Sequence, residues 1–274
     1  MTEVLDNISD PLQYSFMVRA LVVSVLVGVT CAVLGSYVVM RGLAFMGDAL
    51  AHSVLPGVIL ALLIGLSPFA GAAAVGITVA IGIGYLTRRT GLSEDTTIGI
   101  LFAGLFALGI TVLSASDGLS VNLEDLLLGQ VLGVSTTDVY VTLGMAVLVL
   151  GILYYFHKEL VFTSFDPVGA EVIGIPTRFL SYLLLVLLAL VIVIAIQAVG
   201  LILVMAMLVT PAATAFLLVR RFMPMMVVGG ALGGVSAIVG LYLSFYFNIP
   251  SGAAMVLVAT SFFVTATAMR RRVV

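Results

Sequence analysis

Charge is what this sequence has least of. Acidic and basic residues together make up 9% of the 274-residue chain, against 62% hydrophobic residues. At a mean hydropathy of +1.32, a water-soluble globular domain is excluded, because too little polar surface exists to keep such a chain dispersed. A net charge of −2 and a pI near 5.6 argue against a nucleic-acid partner. Cysteine is limited to Cys31, inside an apolar run, so neither an intrachain disulfide nor a cysteine metal site can form. GxxxxGK(S/T) is absent, so the chain cannot bind ATP by a phosphate loop, and HExxH is absent too. The first fifteen residues carry Glu3, Asp6 and Asp10 and lack the basic stretch of a cleavable signal peptide, so the first apolar run is expected to stay as a helix.

What the chain does have is long apolar runs. FLSYLLLVLLALVIVIAIQAVGLILVMAMLV, residues 179–209, is apolar on every face, which fits a membrane helix and not the alternating pattern of a barrel strand. The 28 glycines scattered through such runs fit helices packed closely through small residues. With about 20 apolar residues per crossing, spans are expected near 16–40, 44–66, 69–87, 94–114, 138–156, 179–197, 199–219, 225–247 and 251–269. The fold class is therefore all-α, a polytopic membrane helical bundle of about nine spans, eight to nine allowing for one uncertain segment. Residues 1–15 form an N-terminal segment, and 16–274 form one transmembrane domain.

In this nine-span arrangement Arg41, Arg88, Arg89, Lys158, Arg178, Arg220, Arg221, Arg270, Arg271 and Arg272 fall on one side, which accounts for ten of the eleven basic residues. The positive-inside rule makes that side the cytoplasm and puts the C-terminus there, with the N-terminus and residues 116–138 outside. Within the outer segment, LEDLLLGQVLGV is apolar but only half a span long, which predicts an interfacial or re-entrant helix.

Two cytoplasmic stretches follow. In TRRTGLSEDTTIGI (87–100), Ser93 is placed to cap a helix whose first turn holds Glu94 and Asp95, where the helix dipole favours acid. HKELVFTSFDPVGAEVIGIPTR (157–178) is the longest charged segment and is amphipathic, with Asp166 and Pro167 opening a short helix and Gly174 and Pro176 closing it. Such a helix either docks a partner or lies on lipid headgroups.

MGDALAHSVLPGV (46–58) interrupts the apolar pattern. On a helix Asp48 and His52, four residues apart, share a face, so a carboxylate oxygen and an imidazole nitrogen can reach one point. They form half of a metal site suited to a divalent first-row ion, carboxylate favouring manganese and imidazole suiting zinc and iron. An internal Asp–His ion pair, or an Asp capping a break after Gly47, are the alternatives. A charged carboxylate at this depth costs on the order of 2.5–3.5 kcal/mol, so it needs a partner or a watery path. Manganese or zinc takes four to six donors. One protomer offers few further ligands at that depth, so the pair predicts a homodimer whose two-fold axis brings two copies together. Pro56 with Gly57, and Pro211 after Thr210, would loosen their helices and serve as hinges, as carbonyl donors or as packed kinks.

RGLAFMGDALAHSVLPGV, GLSEDTTIGILFAGLFALGI, FDPVGAEVIGIP and AVGLILVMAMLVTPAATAFLL resemble, in order and spacing, the permease subunits of the manganese, zinc and iron ABC importers, the ABC-3 family. The likeness runs from about residue 19 to 271. It implies an ABC importer permease in the bacterial-type cell membrane, with Asp48 and His52 binding the transported metal. It also implies that Asp166, Ala170 and Gly174, with Glu171 between them, form a coupling helix that enters a cleft of the ATPase subunit. The implied assembly is two permeases, two cytoplasmic ATPase subunits and an extracytoplasmic metal-binding protein. Metal is then cargo, and no catalytic residue or resident cofactor is expected. The AHSVLPG wording is closer to manganese and iron members than to zinc members. A proton-coupled secondary metal transporter would share the hydropathy, but no inverted repeat is visible and the 157–178 stretch fits it poorly.

Overall fold

The computed structural model describes residues 10–115 and 133–270. Among these residues the elements are helices, with no strand. After a 3-10 turn at Asp10–Gln13 come α1 (Ser15–Met40), α2 (Ala44–Ser53), α3 (Leu55–Leu63) and α4 (Pro68–Thr90). Then follow α5 (Glu94–Ser114), α6 (Thr136–Tyr155), α7 (His157–Phe165), α8 (Pro167–Val172), α9 (Thr177–Val199), α10 (Leu201–Leu218), α11 (Phe222–Phe247) and α12 (Ser251–Arg270). Among the described residues, eight stretches are long and apolar enough to cross a membrane, α2 and α3 counting together as Ala44–Leu63, with Leu203–Leu218 of α10 a shorter apolar helix beside them. The all-α polytopic bundle expected from the apolar runs is therefore what forms. The half-span at 123–134 and the first nine residues fall almost wholly outside the described residues.

Local chemistry fixes the helix ends. The Ser67 hydroxyl accepts from the Ala70 N–H ahead of Pro68, and the Ser93 hydroxyl accepts from the Thr96 N–H at 3.2 Å, with Glu94 and Asp95 in the first turn as the sequence predicts. Ser135 and Asp138 form a reciprocal capping box on α6. Gly91, at φ 71°, ends α4 in the left-handed conformation that a side chain would strain.

α1 runs through the centre, and its buried face is held by backbone contact. A Cβ built on Gly28 would stand 2.7 Å from the Gly233 carbonyl oxygen of α11, and one built on Gly35 would collide with the Leu208 carbonyl of α10. Gly57 of α3 and Gly71 of α4 press backbone to backbone in the same way. Without Cβ atoms, helices approach closely enough for dispersion contacts along the whole crossing, which is the main glue where lipid removes the hydrophobic driving force. Met17, Leu34, Tyr37, Met46, Leu50 and Ile59 are fully buried among these helices, as is Cys31.

The 44–66 span is not one uninterrupted helix. α2 ends at Ser53 and α3 starts at Leu55, with Val54 at φ −80°, ψ −12° between them. Pro56 causes the break, because it lacks an N–H for the carbonyl four residues back and its ring crowds that turn.

The described basic residues other than Arg19, which donates to Thr136 at the start of α6, gather at one end of the bundle. Arg41 after α1 donates to Ser164 and Thr163 of α7, and Arg88 at the end of α4 stacks over Tyr182 near the start of α9.

Candidate metal site

α2 lies against α10 closely at Gly47, where an added Cβ would stand 2.9 Å from both Leu208 Cδ2 and Met205 Sδ. Its residues Met46, Ala49, Leu50, Ala51 and Ser53 are buried, and the Ser53 hydroxyl is satisfied by the Ala49 carbonyl at 2.6 Å. That packing turns Asp48 and His52 to the remaining face. Asp48 Oδ1 and His52 Nε2 stand 3.5 Å apart, with the side chains 36% and 26% exposed. Two donors about 2.1 Å from a shared ion and roughly 90–110° apart lie about 3.0–3.4 Å from each other. The observed separation is close to that chelating distance and long for a direct hydrogen bond. α2 passes through Gly47 without a break, so Asp48 caps nothing there.

α5 supplies the wall beside the pair. The His52 ring meets Phe102 and Phe106 edge-on at 5.6 and 5.5 Å between centroids, and those two rings stack on each other at 5.9 Å. Their four-residue spacing mirrors that of Asp48 and His52, a regularity visible in GILFAGLF. Only the pairing of α2 with α5, which no sequence pattern states, shows that they meet. Among the described residues no group of three or more His, Cys, Asp and Glu side chains could hold a metal. One protomer therefore offers two donors on a partly open face, with an aromatic wall on one side.

The other predicted residues separate into two places. Pro56 opens α3, and Gly57 is engaged in the crossing with Gly71. Pro211 sits inside α10, where the Thr214 hydroxyl donates to the Thr210 carbonyl at 2.7 Å. At the basic end, Asp166 caps α8 by accepting from the Gly169 N–H at 2.8 Å, and Gly174 at φ 85° terminates it. Ala170 is completely buried, whereas Val168, Val172 and Ile173 are exposed, Val172 at 82%. Ala170 thus seats α8 on the bundle, and the free apolar face is carried by its valines, which the sequence motif does not single out. Glu171 is exposed beside them.

α7 is tied to the end of α1 by three hydrogen bonds that the sequence does not reveal. Tyr37 Oη and His157 Nδ1 lie 2.8 Å apart. The Arg41 guanidinium donates to Ser164 Oγ and Thr163 Oγ1, both at 3.0 Å. Burial pulls the Arg41 guanidinium below its usual range, partly offset by the Glu94 carboxylate, and burial likewise holds the His157 imidazole below the usual histidine value.

Fold and site together define a polytopic helical membrane protein with one intramembrane carboxylate–imidazole pair and a short capped helix at its basic end. The family model described as the ABC 3 transport family matches residues 13–270. The chain is 48% identical over 252 residues to the manganese transport system membrane protein MntC of Listeria monocytogenes, covering 92% of this chain and 90% of that one. It is 41% identical over 266 residues to the chelated iron transport system membrane protein YfeD of Yersinia pestis, covering 97% and 89%. Among solved structures, PsaBC from Streptococcus pneumoniae in complex with Fab superposes with a TM-score of 0.85 at 38% identity, covering 96% of this chain and 95% of that chain. The chain belongs to the ABC 3 transport family. It is an ABC transporter permease subunit and a multi-pass membrane protein.

Proposed function

We propose that this permease carries a divalent transition metal into the cell, manganese foremost with iron or zinc as further cargo, through a site made of Asp48 and His52 on the axis of a homodimer. The observation that carries the reading is the 3.5 Å carboxylate–imidazole pair on an otherwise apolar helix, incomplete as a metal shell within the described residues of one protomer. A second copy related by a two-fold axis doubles the donors, and water fills the rest. Such a shell releases its ion more readily than a full protein cage does, as passage requires. The outward face of α5 is available for that contact, since only 17% of its most apolar window is buried within the protomer. The names of the relatives, manganese and chelated-iron transport membrane proteins, support the cargo class.

The chain contains no phosphate loop, so the energy comes from separate ATPase subunits that engage α8 on the cytoplasmic side. An extracytoplasmic metal-binding protein delivers the ion to the opposite face. The positive-inside rule places the C-terminus in the cytoplasm and the N-terminus outside. The test is ATP-driven uptake by the reconstituted complex. Asp48→Ala should abolish uptake, and His52→Ala should weaken it and reorder preference among manganese, iron and zinc. Wild-type uptake by the double variant at equal membrane abundance overturns the assignment.

A further inference from the structure

At the basic end lies one concavity lined only by arginine and tyrosine side chains. It has a volume of about 550 Å³ and is lined by Tyr85, Arg88 and Arg89 of α4 and by Arg178 and Tyr182 of α9. Arg88 lies over the Tyr182 ring at 5.6 Å. Arg89 lies over the Tyr85 ring at 5.8 Å and donates to its hydroxyl at 2.6 Å. Neither contact neutralises a charge. Among the described residues, the one acid–base contact within 4.0 Å is Asp48 with His52, so none of the three guanidiniums has a carboxylate partner there. Glu94 lines a smaller adjoining cavity with Arg88 and Tyr182, leaving the neighbourhood positive, and in that cavity the enclosed Thr87 hydroxyl has no hydrogen-bond partner.

Three guanidiniums facing one hollow repel each other and any cation, so an anion is the ligand that relieves them. Guanidinium forks match phosphate oxygens in geometry as well as charge. We propose that this hollow binds the phosphodiester headgroup of an anionic phospholipid from the cytoplasmic leaflet.

Depth and continuity favour lipid over a soluble phosphate or a protein surface. The arginines lie at the last turn of the Pro68–Thr90 span and the first turn of the Thr177–Ile196 span, which is headgroup level, and not on the 157–175 segment between spans. Deeper on the same face of α4, Ile81 and Tyr85 are exposed, an apolar and aromatic strip on which acyl chains can lie. Only 28% of the most apolar window of α4 is buried within the protomer, so most of this helix is left uncovered. Basic pockets between transmembrane helices at the cytoplasmic face are the usual seats of such headgroups. An occupied site bridges α4 to the start of α9, four residues beyond the Gly174 stop of α8. The proposal uses only the orientation given by the charge bias and does not depend on the metal reading.

The test is native mass spectrometry of the full-length chain in neutral detergent, with phosphatidylglycerol or phosphatidylcholine added. The wild type should hold phosphatidylglycerol roughly tenfold more tightly than phosphatidylcholine. The variant Arg88→Gln/Arg89→Gln/Arg178→Gln should lose that preference, while Arg220→Gln/Arg221→Gln, also at the basic end by the charge bias, should keep it. Lysine at the same three positions preserves charge but not the fork, and should keep a preference between those of the wild type and the triple glutamine variant, which separates binding from misfolding. Undiminished preference in the triple glutamine variant overturns the proposal, as does equal loss in the Arg220/Arg221 pair. Displacement of the lipid by millimolar inorganic phosphate alone would show a soluble-anion site instead. Retained lipid preference with lost ATPase co-purification would assign the arginines to the ATPase contact.

Discussion

Arg41 is where the end of α1 and α7 can be tested as one unit. Its guanidinium makes two hydrogen bonds of 3.0 Å to Ser164 and Thr163. Those hydroxyls donate onward to the Leu160 carbonyl at 2.6 and 3.1 Å, so removing Arg41 leaves them satisfied as donors and costs only what the guanidinium supplies. Hydrogen bonds to a charged group contribute about 1.5–3 kcal/mol each. Part of the gain from two is offset by the desolvation that already lowers the Arg41 pKa. Arg41→Ala should therefore destabilise the chain by roughly 2–3 kcal/mol. The combined variant Thr163→Val/Ser164→Ala, crossed with Arg41→Ala, should show a coupling energy of about 1–3 kcal/mol. The assay is reversible unfolding in mixed micelles followed by far-ultraviolet circular dichroism, since the chain has no tryptophan to report by fluorescence. If the single effects add to within about 0.5 kcal/mol, the contacts carry no shared energy and the reasoning is refuted.

Val172→Glu puts a charge on the most exposed apolar residue of α8. It should leave thermal stability unchanged while reducing ATP-driven uptake severalfold, whereas Ala170→Glu, at a fully buried position, should lower the melting temperature itself. Burial keeps His157 below the usual histidine pKa, so below about pH 6.5 the unfolded chain binds more protons than the folded one and stability falls as pH drops. Melting curves taken between roughly pH 5 and 8 should show that slope flattened in His157→Gln; an unchanged slope removes His157 as its source.

The spans were legible because lipid leaves the backbone few alternatives. An apolar run of sufficient length must satisfy its own hydrogen bonds as a helix, and Ser67, Ser93 and Asp166 mark where such helices start. The Asp48–His52 pair was legible for the same reason, since charge inside an apolar run stands out and a four-residue spacing fixes the shared face. What lay hidden depends on which helices touch. Nothing in the sequence pairs Gly28 with Gly233 or seats Phe102 beside His52. The inward direction of Ala170 is set by where α8 lands, not by its motif. The break at Val54 was foreshadowed by Pro56, but only as a loosened ladder within one helix.

The glycine crossings have a kinematic consequence. Where helices meet side chain to side chain, new rotamers can absorb a change of angle or register. Where Gly28 meets Gly233, Gly35 meets Leu208 and Gly57 meets Gly71, carbonyl rests against backbone and no rotamer exists to adjust. These crossings lock α1 against α10 and α11, and α3 against α4. Val54 falls on the chain between these two groups, one residue beyond the helix that holds Asp48 and His52. Few places are thus left where the bundle can change register, and the proposed metal site lies beside one of them.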